Sequence, residues 1–135
     1  MEAYLDNAAT TKIDPDVFEA MMPYLQNEYG NPGSMYSMGR RAFRAISDAR
    51  VNVATMLGSS HPENIIFTSG GSESNTLAIL GVADYLEKEG KKHVITSQFE
   101  HKSVLNAMKV LESRGFEVTY MSVAGGFVNC VDLVA

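Results

Sequence analysis

The sequence predicts an α/β fold with a mainly parallel sheet, and three observations lead to that prediction. From Glu63 onward, the β-prone runs NIIFTS, HVITS and FEVTYMSV alternate with segments whose apolar residues recur at helical spacing. The connections are short, which favours parallel strands joined by right-handed crossovers. The 135 residues are 45% hydrophobic and 20% charged, a composition that suits one soluble globular domain.

The part of the chain before Glu63 is predicted to contain two helices. The polar run Asp6 to Thr11 is either a loop that lines a pocket or an ordinary N-terminal arm. Asp14 to Leu25 has helical spacing after an Asp-Pro pair that suits a cap and a first helical position. YGNPGS is predicted to be a turn, Ser37 then to cap a longer helix, and Gly58 to end it.

The part of the chain after the first strand repeats a helix-then-strand order. Helices are predicted from Leu77 to Gly90 and from Ser103 to Arg114, with Gly115 ending the second. No internal repeat is evident, so residues 1–135 are predicted to form an N-terminal arm and helices plus part of a sheet domain, without an internal boundary. VDLVA starts a helical pattern as the sequence stops, which is typical of a piece of a longer protein.

Charge and composition argue against several classes of partner. Sixteen acidic and eleven basic residues give a net charge of −5, which disfavours nucleic acid as the main partner. No apolar run approaches the roughly 20 residues of a membrane span, and the N-terminus lacks a signal-peptide pattern, so we expect a cytoplasmic protein. A single cysteine excludes an internal disulfide framework, and three scattered histidines do not indicate a metal site.

The turn Ser69 to Ser72 follows the first predicted strand and opens the next helix. Its two glycines let backbone amides approach a ligand, and the start of a helix offers unpaired N–H groups and a positive dipole end. The Ser72 hydroxyl is a further donor. This pattern fits a phosphate seat, but such turns also occur simply to let a helix pack closely on a sheet, and both readings stay open here.

The turn Gln98 to His101 follows the second predicted strand, so it lies at the same edge of the sheet as the first turn. Beside a phosphate site, His101 can stack on an aromatic ligand or move protons near neutral pH. Glu100 either orients the imidazole or is merely solvated. His61 and His93 lie before a strand and at a strand start, and both are interpreted as structural.

Four motifs, in this order, resemble the cysteine desulfurases of the NifS and IscS type, which are pyridoxal-phosphate enzymes of the class V aminotransferase family. They are YLDNAATT, YGNPGSMYSMG, IIFTSGGSESNTLAI and VITSQFEHKSVL, and they cover essentially the whole chain. The resemblance implies the incomplete three-layer α/β/α large domain of a fold-type I pyridoxal-phosphate-dependent transferase.

The resemblance also implies roles for individual residues. The family segment that matches Gly71 and Ser72 binds the cofactor phosphate, and the residue that matches His101 stacks on the pyridine ring and assists proton transfer. Serine stands at Ser72 where threonine is common, which keeps the hydroxyl. Tyr36 stands where the family often has a histidine, so we assign the GNP loop no catalytic role.

The chain departs from the family in length. It stops before the family's cofactor-binding lysine, the aspartate for the pyridine nitrogen, the arginine for the substrate carboxylate and the mobile-loop cysteine. Lys102 does not match the covalent lysine, and Cys130 matches no family nucleophile, so we interpret Cys130 as a structural thiol.

The function that the resemblance implies is removal of sulfur from L-cysteine, which leaves alanine and an enzyme persulfide for iron–sulfur or thio-cofactor synthesis. Family members are homodimers that pass sulfur to acceptor proteins. The 135 residues alone are predicted to be inactive, because the covalent anchor is missing. Two alternatives remain: another class V enzyme such as a selenocysteine lyase, and a non-enzymatic remnant that binds a phosphate ligand or a partner.

Overall fold

The computed structural model describes residues 3–128 of the chain. In chain order the elements are α1 (Pro15–Gln26), α2 (Ser37–Met56), a 3₁₀ helix (Pro62–Asn64), α3 (Gly71–Lys88), β1 (His93–Ser97), α4 (Lys102–Ser113), β2 (Glu117–Met121), β3 (Val123–Ala124) and β4 (Phe127–Val128). The chain divides between Ile66 and Phe67 into two compact units, each described here on its own. The absence of an internal boundary in residues 1–135 stays a prediction.

The first unit contains both helices predicted before Glu63. Asp14 caps α1, and its side chain accepts a hydrogen bond from the Asp16 N–H at 2.9 Å, as the Asp-Pro pair predicts. The cap prediction for α2 is wrong by one residue, because Tyr36 occupies the cap position and makes no side-chain capping bond. Ser37 already has helical backbone, so its hydroxyl does not cap the helix.

The YGNPGS segment is a turn, as predicted, and it packs tightly on the start of α2. Asn31 holds the turn by accepting the Ser34 N–H on its carbonyl at 3.0 Å and the Gly33 N–H on its side chain at 2.9 Å. Gly39 is buried against this loop, and a Cβ there would lie 2.3 Å from the Ser34 carbonyl oxygen. Only glycine fits the contact without moving backbone.

The predicted strand NIIFTS is not formed by the described residues. The 3₁₀ helix occupies its start, and Ile65 then has extended backbone, with φ −83° and ψ 118°. No ladder in residues 3–128 pairs with this segment, and Ile66 is 64% exposed. The segment has a strand's local conformation without the neighbouring strand that would complete it.

The second unit contains the predicted parallel pair. β1 and β2 run parallel in a register that starts with His93 opposite Glu117 and ends with Ser97 opposite Met121, and α4 is the crossover between them. Both strands and both flanking helices, α3 and α4, were expected from the periodicity of the sequence. The α/β class is confirmed.

The core of the second unit lies between α3, α4 and β2. Its buried members are apolar and come from both helices and from the residue that precedes β2, namely Ala83, Met108, Leu111 and Phe116. Arg114, after the end of α4, clamps the same helix pair by donating to Asp84 at 2.6 Å and to Glu87 at 2.8 Å. The site-bearing ends of α3 and α4 are therefore carried on packed helices.

A short hairpin, β3 with β4, follows β2 and was not predicted. Its two-residue loop is Gly125–Gly126, and both residues have positive φ, 61° and 85°. The predicted helix start VDLVA and Cys130 lie outside the described residues. In the part of the chain that is described, no helix has the length and hydropathy to cross a membrane.

Candidate functional site

The start of α3 presents backbone N–H groups at the turn that the sequence singled out. Gly70 is the cap and Gly71 the first helical residue. The first N–H of the helical ladder is that of Ser74, which donates to the Gly70 carbonyl at 3.1 Å. The amides of Gly71, Ser72 and Glu73 therefore precede the ladder, at the positive end of the helix dipole. This arrangement can bind an anion.

The loop that leads into α3 is fixed by side-chain hydrogen bonds. Glu73 Oε2 accepts the Ser69 hydroxyl at 2.7 Å and the Ser69 N–H at 2.6 Å. Both bonds lower the pKa of Glu73 below its ordinary value, and the bond from the Ser69 hydroxyl has the larger effect. The Glu73 carboxylate is therefore ionised near neutral pH. Thr68 adds a bond of 2.6 Å between its hydroxyl and that of Ser74. The turn is held in shape before any ligand arrives.

The space above this turn is open. A Cβ built on Gly70 or Gly71 meets no atom within 4 Å, so no close approach of described residues requires glycine at either position. This favours the phosphate-seat reading over the reading that the glycines serve helix packing. A recess of about 420 Å³ beside the turn is lined by Ser72, Glu73, Thr76 and Leu77. The open side of the turn at Gly70 and Gly71 leaves room for an anion to reach the backbone donors.

The second predicted turn, between β1 and α4, is braced by a buried serine. Ser97, which is 8% exposed, donates from its hydroxyl to Glu100 at 3.2 Å and accepts the Phe99 N–H at 3.3 Å. The Gln98 N–H donates to the Met121 carbonyl at 3.1 Å, which ties the turn to β2. The Glu100 carboxylate thus bonds to Ser97 and shapes the turn.

His101 caps α4, and its ring is held by Ser103. Nδ1 accepts the Ser103 N–H at 3.2 Å and lies 2.8 Å from the Ser103 hydroxyl. Asn75, on the first turns of α3, donates from Nδ2 to the same hydroxyl at 2.9 Å. Lys102 begins α4 and is exposed. Asn75 and Ser103 therefore link the N-terminal part of α3 to the turn that carries His101. The placement of both turns at one sheet edge stays a prediction, because NIIFTS pairs with no strand among residues 3–128.

Asn75 and Ser103 are the site residues that sequence reasoning missed. They stand 28 positions apart, and neither type has a spacing signal that would link it to a partner on another helix. One contact of Ser103 could have been predicted. If His101 caps the helix, the N–H of the residue two positions later points at the cap side chain.

The other histidines have structural contacts, as interpreted from the sequence. Nδ1 of His61 lies 2.8 Å from the Glu63 carboxylate, and Nε2 of His93 lies 2.7 Å from the Thr119 hydroxyl across the β1–β2 pair. Residues 3–128 contain no group of three His, Cys, Asp or Glu side chains placed to hold a metal ion.

A larger groove in the second unit has a different character. Its volume is about 610 Å³ and its lining is mainly aliphatic, with side chains from α3, β1, α4 and β2. Ser97 and Glu100 reach one end of it, where they already bond to each other. An aliphatic groove of this kind does not bind a phosphate, so the start of α3 remains the candidate anion site.

Comparison with known proteins matches the chain over nearly its full length. The profile of the family "Aminotransferase class-V" matches residues 3–133. A cysteine desulfurase IscS from Dictyoglomus turgidum is 50% identical over 133 residues, which are 98% of this chain and 33% of that protein. The chain spans about a third of the length of the curated relatives it matches.

Solved structures agree with the sequence matches. A structure titled "NIFS-LIKE PROTEIN" has a TM-score of 0.88 and 42% identity, and the match covers 98% of this chain and 36% of that one. A structure titled "SspA in complex with cysteine" has a TM-score of 0.77 and 45% identity, over 87% of this chain and 33% of that one. Both likenesses agree with the α/β class of the described residues.

Proposed function

Because the chain belongs to the aminotransferase class-V family, we propose that it carries the phosphate seat and the stacking histidine of a pyridoxal-phosphate-dependent cysteine desulfurase. One observation supports the proposal most strongly. The hydrogen bonds from Asn75 to Ser103 and from Ser103 to His101 keep the imidazole beside the N-terminal turns of α3. This link between α3 and His101 supports an anion seat and an aromatic base that together serve one phosphorylated pyridine.

Gly71, Ser72 and His101 each have a defined part in this proposal. The Gly71 and Ser72 amides and the Ser72 hydroxyl donate to the phosphate, and the α3 dipole favours its negative charge. The exposed ring of His101 stacks on the pyridine ring. Pyridoxal phosphate, when bound, supplies the electron sink for the chemistry at the amino acid.

The proposed substrate is L-cysteine. Its C–S bond breaks, the carbon skeleton leaves as alanine, and the sulfur passes to an enzyme thiol, which becomes a persulfide for acceptor proteins in iron–sulfur or thio-cofactor synthesis. The names of the relatives favour this reaction over other class V activities, and a solved neighbour is titled as a complex with cysteine. A homodimer in the cytoplasm is part of the same proposal.

The 135 residues alone are proposed to be inactive on L-cysteine. They span about a third of the relatives, and we identify in them no counterpart of the family's covalent lysine or mobile-loop cysteine. The chain with pyridoxal phosphate and L-cysteine should release no alanine above the cofactor-only background.

A chimera tests the activity directly. Residues 1–135 are joined to the remainder of the Dictyoglomus turgidum relative, and alanine and sulfide are measured with L-cysteine. We expect turnover that falls at least tenfold in His101→Ala and in Ser72→Ala, since each loses a ligand contact. A chimera that is folded and holds cofactor, yet forms no alanine, contradicts the proposal.

A further inference from the structure

Two donors from one residue converge on a single nitrogen of His101. The backbone N–H of Ser103 lies 3.2 Å from Nδ1, and the Ser103 hydroxyl oxygen lies 2.8 Å from it. A backbone N–H can only donate, so Nδ1 must present its lone pair. Within residues 3–128, no hydrogen-bond partner is found for Nε2, the nitrogen on the far side of the ring.

Asn75 occupies one of the two acceptor sites on the Ser103 hydroxyl oxygen. Its amide nitrogen carries two N–H groups and no lone pair to accept with, so at 2.9 Å it must donate to Ser103 Oγ. Because Nδ1 presents its lone pair to the backbone N–H, the Ser103 hydroxyl directs its own proton to Nδ1. The order of donation is therefore fixed along three residues, from Asn75 through Ser103 to His101. Asn75 and Ser103 are half-buried, which protects these bonds from competing water.

We propose that Asn75 and Ser103 are positioning residues that fix the tautomer of His101, so that the neutral ring has a bare Nδ1 and carries its proton on Nε2. This inference deepens the proposed function and rests on it for its consequence at the cofactor. His101 then meets the ligand as a hydrogen-bond donor at Nε2, and it accepts a proton only at Nδ1, after releasing the Ser103 donors.

The test is the protonation of each ring nitrogen in the 135-residue chain, read from long-range ¹⁵N–¹H spectra at about pH 8.5, where an ordinary imidazole is neutral. His101 should show an unprotonated Nδ1 and a protonated Nε2. His61 is the internal reference for the opposite state, because its Nδ1 lies 2.8 Å from a carboxylate and should carry the proton. A protonated Nδ1 at His101 overturns the proposal.

Three variants separate positioning from general structure. Asn75→Asp keeps the size but replaces the donor with an acceptor, so the Ser103 hydroxyl should turn toward the new carboxylate. Nδ1 of His101 then keeps only the backbone donor, and its ¹⁵N chemical shift should move part of the way toward the protonated value. Ser103→Ala keeps the backbone donor but removes the hydroxyl, so the ¹⁵N chemical shift of Nδ1 should move part of the way toward the protonated value. Ser103→Thr keeps the hydroxyl and should retain the wild-type spectrum. Unchanged His101 nitrogens in both Asn75→Asp and Ser103→Ala overturn the proposal.

The spectra need no cofactor, so their outcome is independent of the activity of the chimera. A fixed tautomer together with an inactive chimera leaves the positioning intact and refutes the desulfurase function. The reverse result refutes only the positioning.

Discussion

The clearest perturbation of the proposed phosphate seat is Gly71→Pro, paired with Gly71→Ala. Gly71 is the first residue of α3, the position where helices accept proline, because its N–H has no partner in the helix. The preceding Gly70 has extended backbone, with φ 162° and ψ 179°, which suits a residue before proline. A Cβ at Gly71 meets no atom within 4 Å, so a side chain at this position has room. Proline thus deletes one donor and leaves the helix in place.

The size of the effect follows from the donor that is lost. A hydrogen bond to a charged group contributes about 2 kcal/mol, and RT converts that loss to roughly 30-fold weaker binding. Gly71→Ala keeps the N–H, so we expect binding within about twofold of wild type. The alanine variant also controls for any effect of adding a side chain at this position.

Binding is measured with pyridoxamine 5′-phosphate, because its amine cannot form an imine with lysines of the chain. Dissociation constants come from the chemical shifts of backbone amides, and circular dichroism confirms that both variants keep their helices. Equal affinity of the proline and alanine variants would show that the Gly71 amide does not contact the phosphate.

Three further predictions concern stability and pH. Gly39→Ala should destabilise the chain by about 3 kcal/mol, since its Cβ would lie 2.3 Å from a backbone oxygen. The control is Gly81→Ala, whose Cβ meets nothing within 4 Å, and it should stabilise the chain by about 0.5 kcal/mol. Urea unfolding measures the free energy of both variants. The Leu111 side chain is 1% exposed, so Leu111→Ala should lower the free energy of unfolding by about 3 kcal/mol in the same assay. A loss below about 1 kcal/mol would contradict the burial of Leu111 in the core. The pKa of Glu73 is lowered in the folded chain, so its contribution is complete above its ordinary value of 4.5 and is lost as the pH falls through the lowered pKa. The stability difference between wild type and Glu73→Gln should therefore shrink from pH 7 to pH 3, and a difference that is constant with pH would refute the role of Ser69.

Much of the second unit could be predicted because its signals are local. The periodicity of α3 and α4 and the apolar runs of β1 and β2 identify each element, and short connections imply the parallel pair. The β3–β4 hairpin was also readable, since two glycines between VA and FV are a known hairpin signal.

Other features depend on contacts that no local pattern carries. NIIFTS has strand composition, but a strand needs a neighbour, and the described residues supply none. Ser37 is a favoured cap type, yet the helix begins one residue earlier than a cap at Ser37 requires. The bond from Asn75 to Ser103 exists only because α3 packs on α4, so the orientation of His101 could not be read from the sequence.

Backbone amide spectra of the ¹⁵N-labelled chain, titrated with pyridoxamine 5′-phosphate and separately with pyridoxamine, test the phosphate seat most directly. The seat predicts saturable shifts at Gly71, Ser72 and His101 with the phosphorylated ligand, and at least tenfold weaker binding without the phosphate, since several charge-assisted hydrogen bonds are lost. Equal binding of the two ligands, or shifts confined to residues outside the first turns of α3 and α4, would contradict it.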